Sequence, residues 1–371
     1  MPIPTATDPA SPFAPPQARR LERGRGATFD PPNRFRREER EACDDGWTRD
    51  DEPAPPRATT VSIQPARTIL ARNDSPDLPF DRSINPYQGC EHGCVYCYAR
   101  PSHAFLDLSP GLDFETRLFA KPNAAELLRE ELARPGYACA PIALGTNTDP
   151  YQPVEREWRI TRSVLEVLAA CEHPFTIVTK GALVERDVDL IAPMAAKGMA
   201  RVYLSITTLD RTLARTLEPR AAAPQRRLQA LATLARAGVP TGVMVAPLIP
   251  QLNDRDLEAI LEAAAQAGAK HAGWILLRLP REVAPLFRDW LDVHQPLRAR
   301  HVMSLVQQMR GGRDYDAEFG TRQRGRGTFA ELIARRFAIA RRRCGLNEEH
   351  APLDTSRFRP PRPATAQLDL F

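Results

Sequence analysis

The sequence predicts an α/β fold: a partial (βα)6 TIM-like barrel with C-terminal helices and disordered N-terminal and C-terminal tails. Three observations point there. Short apolar runs alternate with amphipathic segments through the middle of the 371 residues. The alternation repeats six times, short of the eight units of a closed barrel. Both ends of the chain are rich in Pro, Arg, Asp and Glu and show no apolar period. Strand–helix repeats at this spacing imply right-handed crossovers and a parallel sheet, with ligands gathering at the carboxyl ends of the strands.

The expected strands are Arg82–Gly89, Pro141–Thr148, Phe175–Thr179, Arg201–Thr207, Gly242–Pro247 and His271–Leu277. The helices between and after them are expected near Ala124–Ala133, Ile160–Cys171, Asp187–Lys197, Pro224–Ala237, Asp254–Ala267 and Val283–Val293. Asp254 ahead of one apolar period and Gly238 behind another are ordinary start and stop signals. Phe114–Lys121 adds a short extra strand. The chain thus divides into a mostly disordered tail over 1–60, with a short ordered part at Thr28–Phe35, and a core over 61–295. A basic helical segment over 296–346 and a flexible tail over 347–371 follow.

At 43% hydrophobic and 7% aromatic, with a mean hydropathy of −0.40, the composition is that of a soluble globular protein. The first twenty residues lack the basic stretch and apolar core of a secretory signal, and no apolar run reaches the ~20 residues that span a bilayer. The cytoplasm is the expected location, with no membrane partner. The net charge of +5 is unevenly spread, with Arg-rich stretches over 310–327 and 333–345. A solvated helix face is the plainer reading of those stretches, and phosphate contacts are the sharper one.

Seven cysteines stand at 43, 90, 94, 97, 139, 171 and 344, and only Cys90, Cys94 and Cys97 cluster. They lie at C-x3-C-x2-C spacing in "INPYQGCEHGCVYCYARPSH", with Tyr87, Tyr96 and Tyr98 around them. A cytoplasmic trio argues for metal rather than disulfides. Because it follows the first strand directly, it falls on the functional rim. Thiolates suit zinc and iron–sulfur clusters. A structural zinc site wants four protein ligands, and His92 or His103 would have to complete the set. A 4Fe–4S cube held by three cysteines instead leaves one iron open to a small molecule's amine and carboxylate.

The trio after the first strand of a six-unit barrel resembles the signature of radical S-adenosylmethionine (SAM) enzymes, over roughly residues 80 to 295. The resemblance implies a 4Fe–4S cluster on Cys90, Cys94 and Cys97 and SAM on its open iron. It further implies reductive cleavage of SAM to a 5′-deoxyadenosyl radical, and a reductant such as a flavodoxin or ferredoxin. It places the SAM amino group at "GTNTDPYQPVE", the end of the second strand, so that Gly145, Thr146, Asn147, Thr148 and Asp149 become candidate cofactor contacts. Lys180, Ser205, Glu218 and Arg227, on or after the third and fourth strands, are further candidates. Each also has a plainer reading as turn, ion pair or barrel core. "CVYCYA", "LEP…P…R" and "VAPLI" look most like the spore photoproduct lyase branch, which reverses a thymine–thymine lesion in DNA. Tyr96 and Tyr98 match tyrosines around that branch's radical relay. The lyase's hydrogen-donor cysteine at the end of the second strand is matched here by Thr146, a poor hydrogen donor, while Cys139 precedes that strand and should face the opposite rim.

The chain ends Gln367, Leu368, Asp369, Leu370, Phe371. This resembles the pentapeptide by which bacterial repair proteins dock on the DNA sliding clamp. Burying Leu370 and Phe371 would give about 3–6 kcal/mol before ordering costs. The leading expectation is therefore a radical SAM enzyme acting on nucleic acid, a lyase of the DNA-repair kind. Two others stand beside it: the same chemistry on RNA, a peptide or a metabolite, and a non-catalytic zinc- or cluster-bearing adaptor at the clamp.

Overall fold

A computed structural model describes residues 22–36, 57–346 and 351–361. Runs such as Ile142–Leu144 and Phe175–Thr179 are too short for helices and too apolar for loops, and they pair as strands with helices over their faces. In chain order the strands are β1 (Thr60–Ile63), β2 (Leu70–Arg72), β3 (Arg82–Ile84), β4 (Tyr87–Gln88), β5 (Arg117–Ala120), β6 (Ile142–Leu144), β7 (Phe175–Thr179), β8 (Ala200–Ser205), β9 (Thr241–Leu248) and β10 (His271–Leu276). The main sheet runs β10-β9-β8-β7-β6-β3-β2. Its six strands from β3 to β10 are parallel and stand in chain order, while β2 adds an antiparallel edge. The expected open α/β barrel of six units is what forms. Its helices are Ala124–Leu132, Ile160–Ala170, Val188–Ala196, Pro224–Arg236, Leu257–Gln266 and Val283–His294, close to the expected spans. Asp254–Asp256 winds as a 3-10 turn, so that helix begins three residues late.

The expected first strand, 82–89, breaks in two. Pro86 has no N–H to give a ladder, and the Asn85 side chain turns to accept the Asn147 N–H at 2.9 Å. Beyond the break, β4 leaves the barrel for a three-stranded sheet of order β1-β5-β4. The expected extra strand at 114–121 joins that small sheet too, as β5, after a helical turn over Asp113–Thr116.

Three segments outside the barrel pack on it. Residues 22–36 lie behind the cysteine loop, where Asn33 donates to the Ala104 carbonyl at 2.8 Å and Arg34 pairs with Glu282 at 2.7 Å. Residues 351–361, expected within a flexible tail, lie instead against the amino ends of the strands. There the Arg359 N–H donates to the Cys171 carbonyl at 2.8 Å, and the Phe358 ring meets those of Tyr137 and His173. The Arg-rich stretch is only partly helical. Gly327–Arg343 is a helix whose Ile333, Phe337 and Ala340 are buried in the core. Residues 310–326 form a strap across the open side of the barrel. The strap accepts the Leu276 N–H through Gln323 at 2.8 Å, and reaches the turn after β2 through Arg322 and Asp77 at 2.6 Å. Arg310 spends its guanidinium on the Leu277, Thr321 and Arg322 carbonyls. Several of these arginines are therefore structural, neither solvated nor free for phosphate. Among the described residues no helix is long and apolar enough to cross a membrane.

Candidate active site

The loop bearing Cys90, Cys94 and Cys97 leaves β4 and is held from several sides. Its Cys90 N–H donates to the Phe114 carbonyl at 3.0 Å and its Val95 N–H to the Leu217 carbonyl at 3.1 Å. Its Glu91 N–H donates to the fully buried Gln152 side chain at 2.8 Å. Behind it sit Arg100 and Glu115, both fully buried, 2.5 Å apart. Arg100 also donates to the Gly93, Cys94, Pro110 and Gly111 carbonyls. Glu115 accepts the N–H groups of Gly26 and Ala27 at 2.9 and 2.8 Å. A Cβ on Gly26 would fall 1.9 Å from the Gly93 oxygen, so only glycine allows this approach. The amino-terminal segment is thus part of the loop's mould.

The three thiols fit an iron–sulfur cluster. Cys90 and Cys94 are buried, Cys97 nearly so, and they lie close enough to repel one another as thiolates. Burial pushes the Cys94 thiol up to about 12, and Cys90 and Cys97 up as well, so bare thiols would keep their protons until a metal displaced them. Nearby main-chain N–H groups work against that rise, Asp149's at Cys90 and those of Ala99 and Arg100 at Cys97. Such donors stabilise thiolate. A closed zinc site fits less well. Among the described residues no group of three His, Cys, Asp or Glu side chains is arranged around a single ion. His92 Nδ1 lies 3.3 Å from Asp149, and His103 is bonded to the Arg117 carbonyl at 2.9 Å behind the loop.

Beside Cys94 lies a buried polar network. Tyr96 donates to Glu218, which also accepts Thr207 Oγ1 at 2.5 Å and is paired with Arg227. Arg227 donates as well to the Ser205 carbonyl at 2.8 Å and the Ala222 carbonyl at 2.7 Å. Lys180 Nζ stands 5.7 Å from the centre of the Tyr96 ring. Desolvation opposes the charge on Glu218, but Arg227 and Lys180 overcome it and hold the carboxyl down at about 2. Glu218 and Arg227 are spent on each other and on this network, so they brace the Tyr96 hydroxyl and the end of β8.

The segment expected to face SAM, Gly145–Asp149, follows β6. Gly145 has φ +92°, and a Cβ there would meet the Val178 oxygen at 1.9 Å. Asn85 Oδ1 gathers the Asn147 N–H and the Thr146 hydroxyl, and Thr148 Oγ1 donates to the Tyr87 carbonyl at 3.3 Å. Asp149 accepts from Thr179 Oγ1 at 2.6 Å and from the Lys180 N–H at 2.7 Å, tying the second rim loop to the third. The half-exposed Tyr98 donates to the Thr146 carbonyl. Cys139 lies ahead of β6, beside Arg82 and Tyr137, and so at the opposite end from the trio. The structure therefore brings the cysteines, Tyr96, Tyr98, the Gly145–Asp149 loop, Lys180, Ser205, Glu218 and Arg227 to one rim. Sequence reasoning missed Asn85, Arg100, Glu115 and Gln152. No local pattern marks them, since each acts on a partner distant in the chain or on a main-chain group.

Comparisons with known proteins agree with this geometry. An uncharacterized protein of Mycobacterium tuberculosis is 41% identical over 221 residues, which is 59% of this chain and 65% of that one. An uncharacterized protein of Methanocaldococcus jannaschii is 28% identical over 171 residues, 46% of this chain and 61% of its own. The chain thus spans less than two thirds of the length of these curated relatives. Spore photoproduct lyase complexed with dinucleoside spore photoproduct superposes with a TM-score of 0.53 at 16% identity, over 76% of this chain and 79% of the lyase. A mutant of that lyase with bound AdoMet and the same dinucleoside gives a TM-score of 0.55. At that identity the likeness establishes the fold. Residues 84–264 match the family model of the Radical SAM superfamily, whose cofactors are a 4Fe–4S cluster and SAM.

Proposed function

We propose that the protein is a radical SAM enzyme that cleaves SAM reductively and abstracts hydrogen from a nucleic acid, in a lyase-like reaction of the DNA-repair kind. The observation that carries the chemistry is the trio of clustered thiols on one rim loop, two of them buried and the third nearly so. When bound, the cluster supplies the electron that splits the sulfonium of SAM. The chain's own residues do the rest. Cys90, Cys94 and Cys97 ligate, the Gly145–Asp149 loop and Lys180 receive the polar end of SAM, and the packed loop with its Arg100–Glu115 buttress excludes water. Tyr96 and Tyr98 line the path between cluster and substrate. The likeness to spore photoproduct lyase supports a nucleic-acid substrate. Thr146, standing where that lyase has its donor cysteine, argues for a different closing step.

The test is anaerobic reconstitution and reduction with dithionite in the presence of SAM and a deuterium-labelled nucleic-acid pool. Deuterium in 5′-deoxyadenosine or SAM is expected. A colourless protein with stoichiometric zinc and no SAM cleavage would sink the reading in favour of the adaptor. The clamp-like pentapeptide Gln367–Phe371 lies outside the described residues, and its support is its sequence alone. Calorimetry of a peptide with that ending against purified bacterial clamp is expected to give heat that vanishes when Leu370 and Phe371 become Ala.

A further inference from the structure

Arg278 stands just past the carboxyl end of β10, on the rim that carries the cysteine loop. Its guanidinium carbon lies 5.0 Å from the centre of the Tyr98 ring and 6.0 Å from that of Tyr315. Tyr98 directly follows Cys97, so this cation sits beside the reaction centre. Tyr315 comes from the strap that closes the open side of the barrel.

The other buried arginines described above are spent on strong acceptors, although Arg310 Nε is likewise unpartnered. Arg100, Arg227 and Arg310 each reach several carbonyls or a carboxylate. Among the described residues Arg278 makes one hydrogen bond, Nη2 to the Tyr315 hydroxyl at 3.3 Å, and its buried Nε has no partner. Among the described residues no carboxylate pairs with it. Asp77 is near enough to feel its charge, but is held by Arg322 at 2.6 Å and by the Gly320 N–H at 2.7 Å. A rim cation set against two aromatic rings, with donors left over, suits the two-point recognition of an oxyanion.

We propose that Arg278, clamped between Tyr98 and Tyr315, receives a phosphodiester of the substrate and sets the strand's position over the cluster loop. The assignment of the anion as a phosphodiester rests on the nucleic-acid reading above. The Tyr98 hydroxyl donates to the Thr146 carbonyl, so the same tyrosine touches both this guanidinium and the Gly145–Asp149 loop. The strap supplies the second wall of the clamp, which gives it a part in substrate binding as well as in closing the barrel.

The test measures binding by the reconstituted full chain of a short thymidine oligonucleotide and of its uncharged methylphosphonate counterpart. The native protein is expected to prefer the charged strand about tenfold or more. Arg278→Gln should erase most of that preference and lower the salt slope of binding by about one, with Arg278→Lys in between. Equal affinity of the native protein for the two strands overturns the site even if no variant folds. Unchanged oligonucleotide affinity in Arg278→Gln overturns it and leaves the nucleic-acid reading standing. Failure of the native protein to bind any oligonucleotide at low salt overturns both. SAM affinity is followed in parallel. A loss there in place of the oligonucleotide loss assigns the guanidinium to the SAM carboxylate and overturns the proposal.

Discussion

At the amino ends of the strands, Arg82 pairs with Asp81 at 2.7 Å and donates to the Tyr137 hydroxyl at 3.2 Å. The Tyr137 hydroxyl donates in turn to His173 Nε2 at 2.9 Å, and His173 Nδ1 faces the Pro174 carbonyl at 3.0 Å. At the carboxyl ends, Arg278 lies against Tyr98 and Tyr315 with donors unused, and Lys180 faces the Tyr96 ring with no carboxylate ion-paired to it among the described residues. Both ends stack arginine on tyrosine. The difference lies in what remains unbonded. The lower cluster closes on itself and contributes stability. The upper one keeps cations and thiols in reserve, as a site for a charged ligand must.

The sharpest way to break the comparison is to remove a thiol. Cys94→Ala is expected to abolish SAM cleavage and reduce bound iron, leaving far-UV circular dichroism and the melting curve of the barrel near native. Measurable SAM turnover by that variant would contradict the ligand assignment. Next in size is the buried brace. Glu218→Ala leaves Arg227 without its partner at 1% exposure, which should cost about 3–5 kcal/mol in a denaturant titration. Glu218→Gln, which keeps the shape and some hydrogen bonds, should cost less. Equal stability for both variants would mean that the pair is not what holds the end of β8.

That brace also shows what the sequence could and could not tell. The six strands were legible because each is a short apolar run between turns, and the cysteine trio because its spacing is local. Glu218 and Arg227 were legible as rim candidates, but not as partners of each other; eight residues of intervening chain give no sign that they meet. The mould behind the cysteine loop was less legible still. Arg100 and Glu115 are charged residues in segments without periodic pattern, and Gly26 lies in a stretch whose composition reads as disordered. A break tests that mould. Gly26→Ala forces a Cβ onto the Gly93 carbonyl and is expected to cost about 1–3 kcal/mol. Faster hydrogen exchange confined to 22–36 and to the cysteine loop is the signature to look for. A variant as protected as the native chain would show that the segment merely rests on the loop.

The smallest effect sharpens the comparison from the lower end. His173 is fully buried, and burial pulls its pKa down to about 4, with Arg82 adding to the shift. In the unfolded chain a histidine titrates near 6.5. The folded form therefore binds fewer protons between those values, so the contribution is intact above about 6.5 and is lost as pH falls toward 4. By linkage the loss at pH 5 is roughly 2 kcal/mol. Protonation would place an N–H where Tyr137 now donates, and would set a second cation beside Arg82. Phe358, edge-on to the His173 ring at 5.2 Å, should loosen together with the rest of 351–361. His173→Phe removes the proton site while keeping the ring. Its melting temperature should fall less than the native protein's between pH 7 and pH 5, even if it starts lower for want of the Tyr137 bond. His103, buried behind the cysteine loop with its pKa likewise near 4, adds a parallel loss in both proteins, so the difference between the two slopes isolates the lower cluster. Identical slopes would mean that the amino-end cluster opens to solvent before it titrates, and that it is less closed than the carboxyl-end brace.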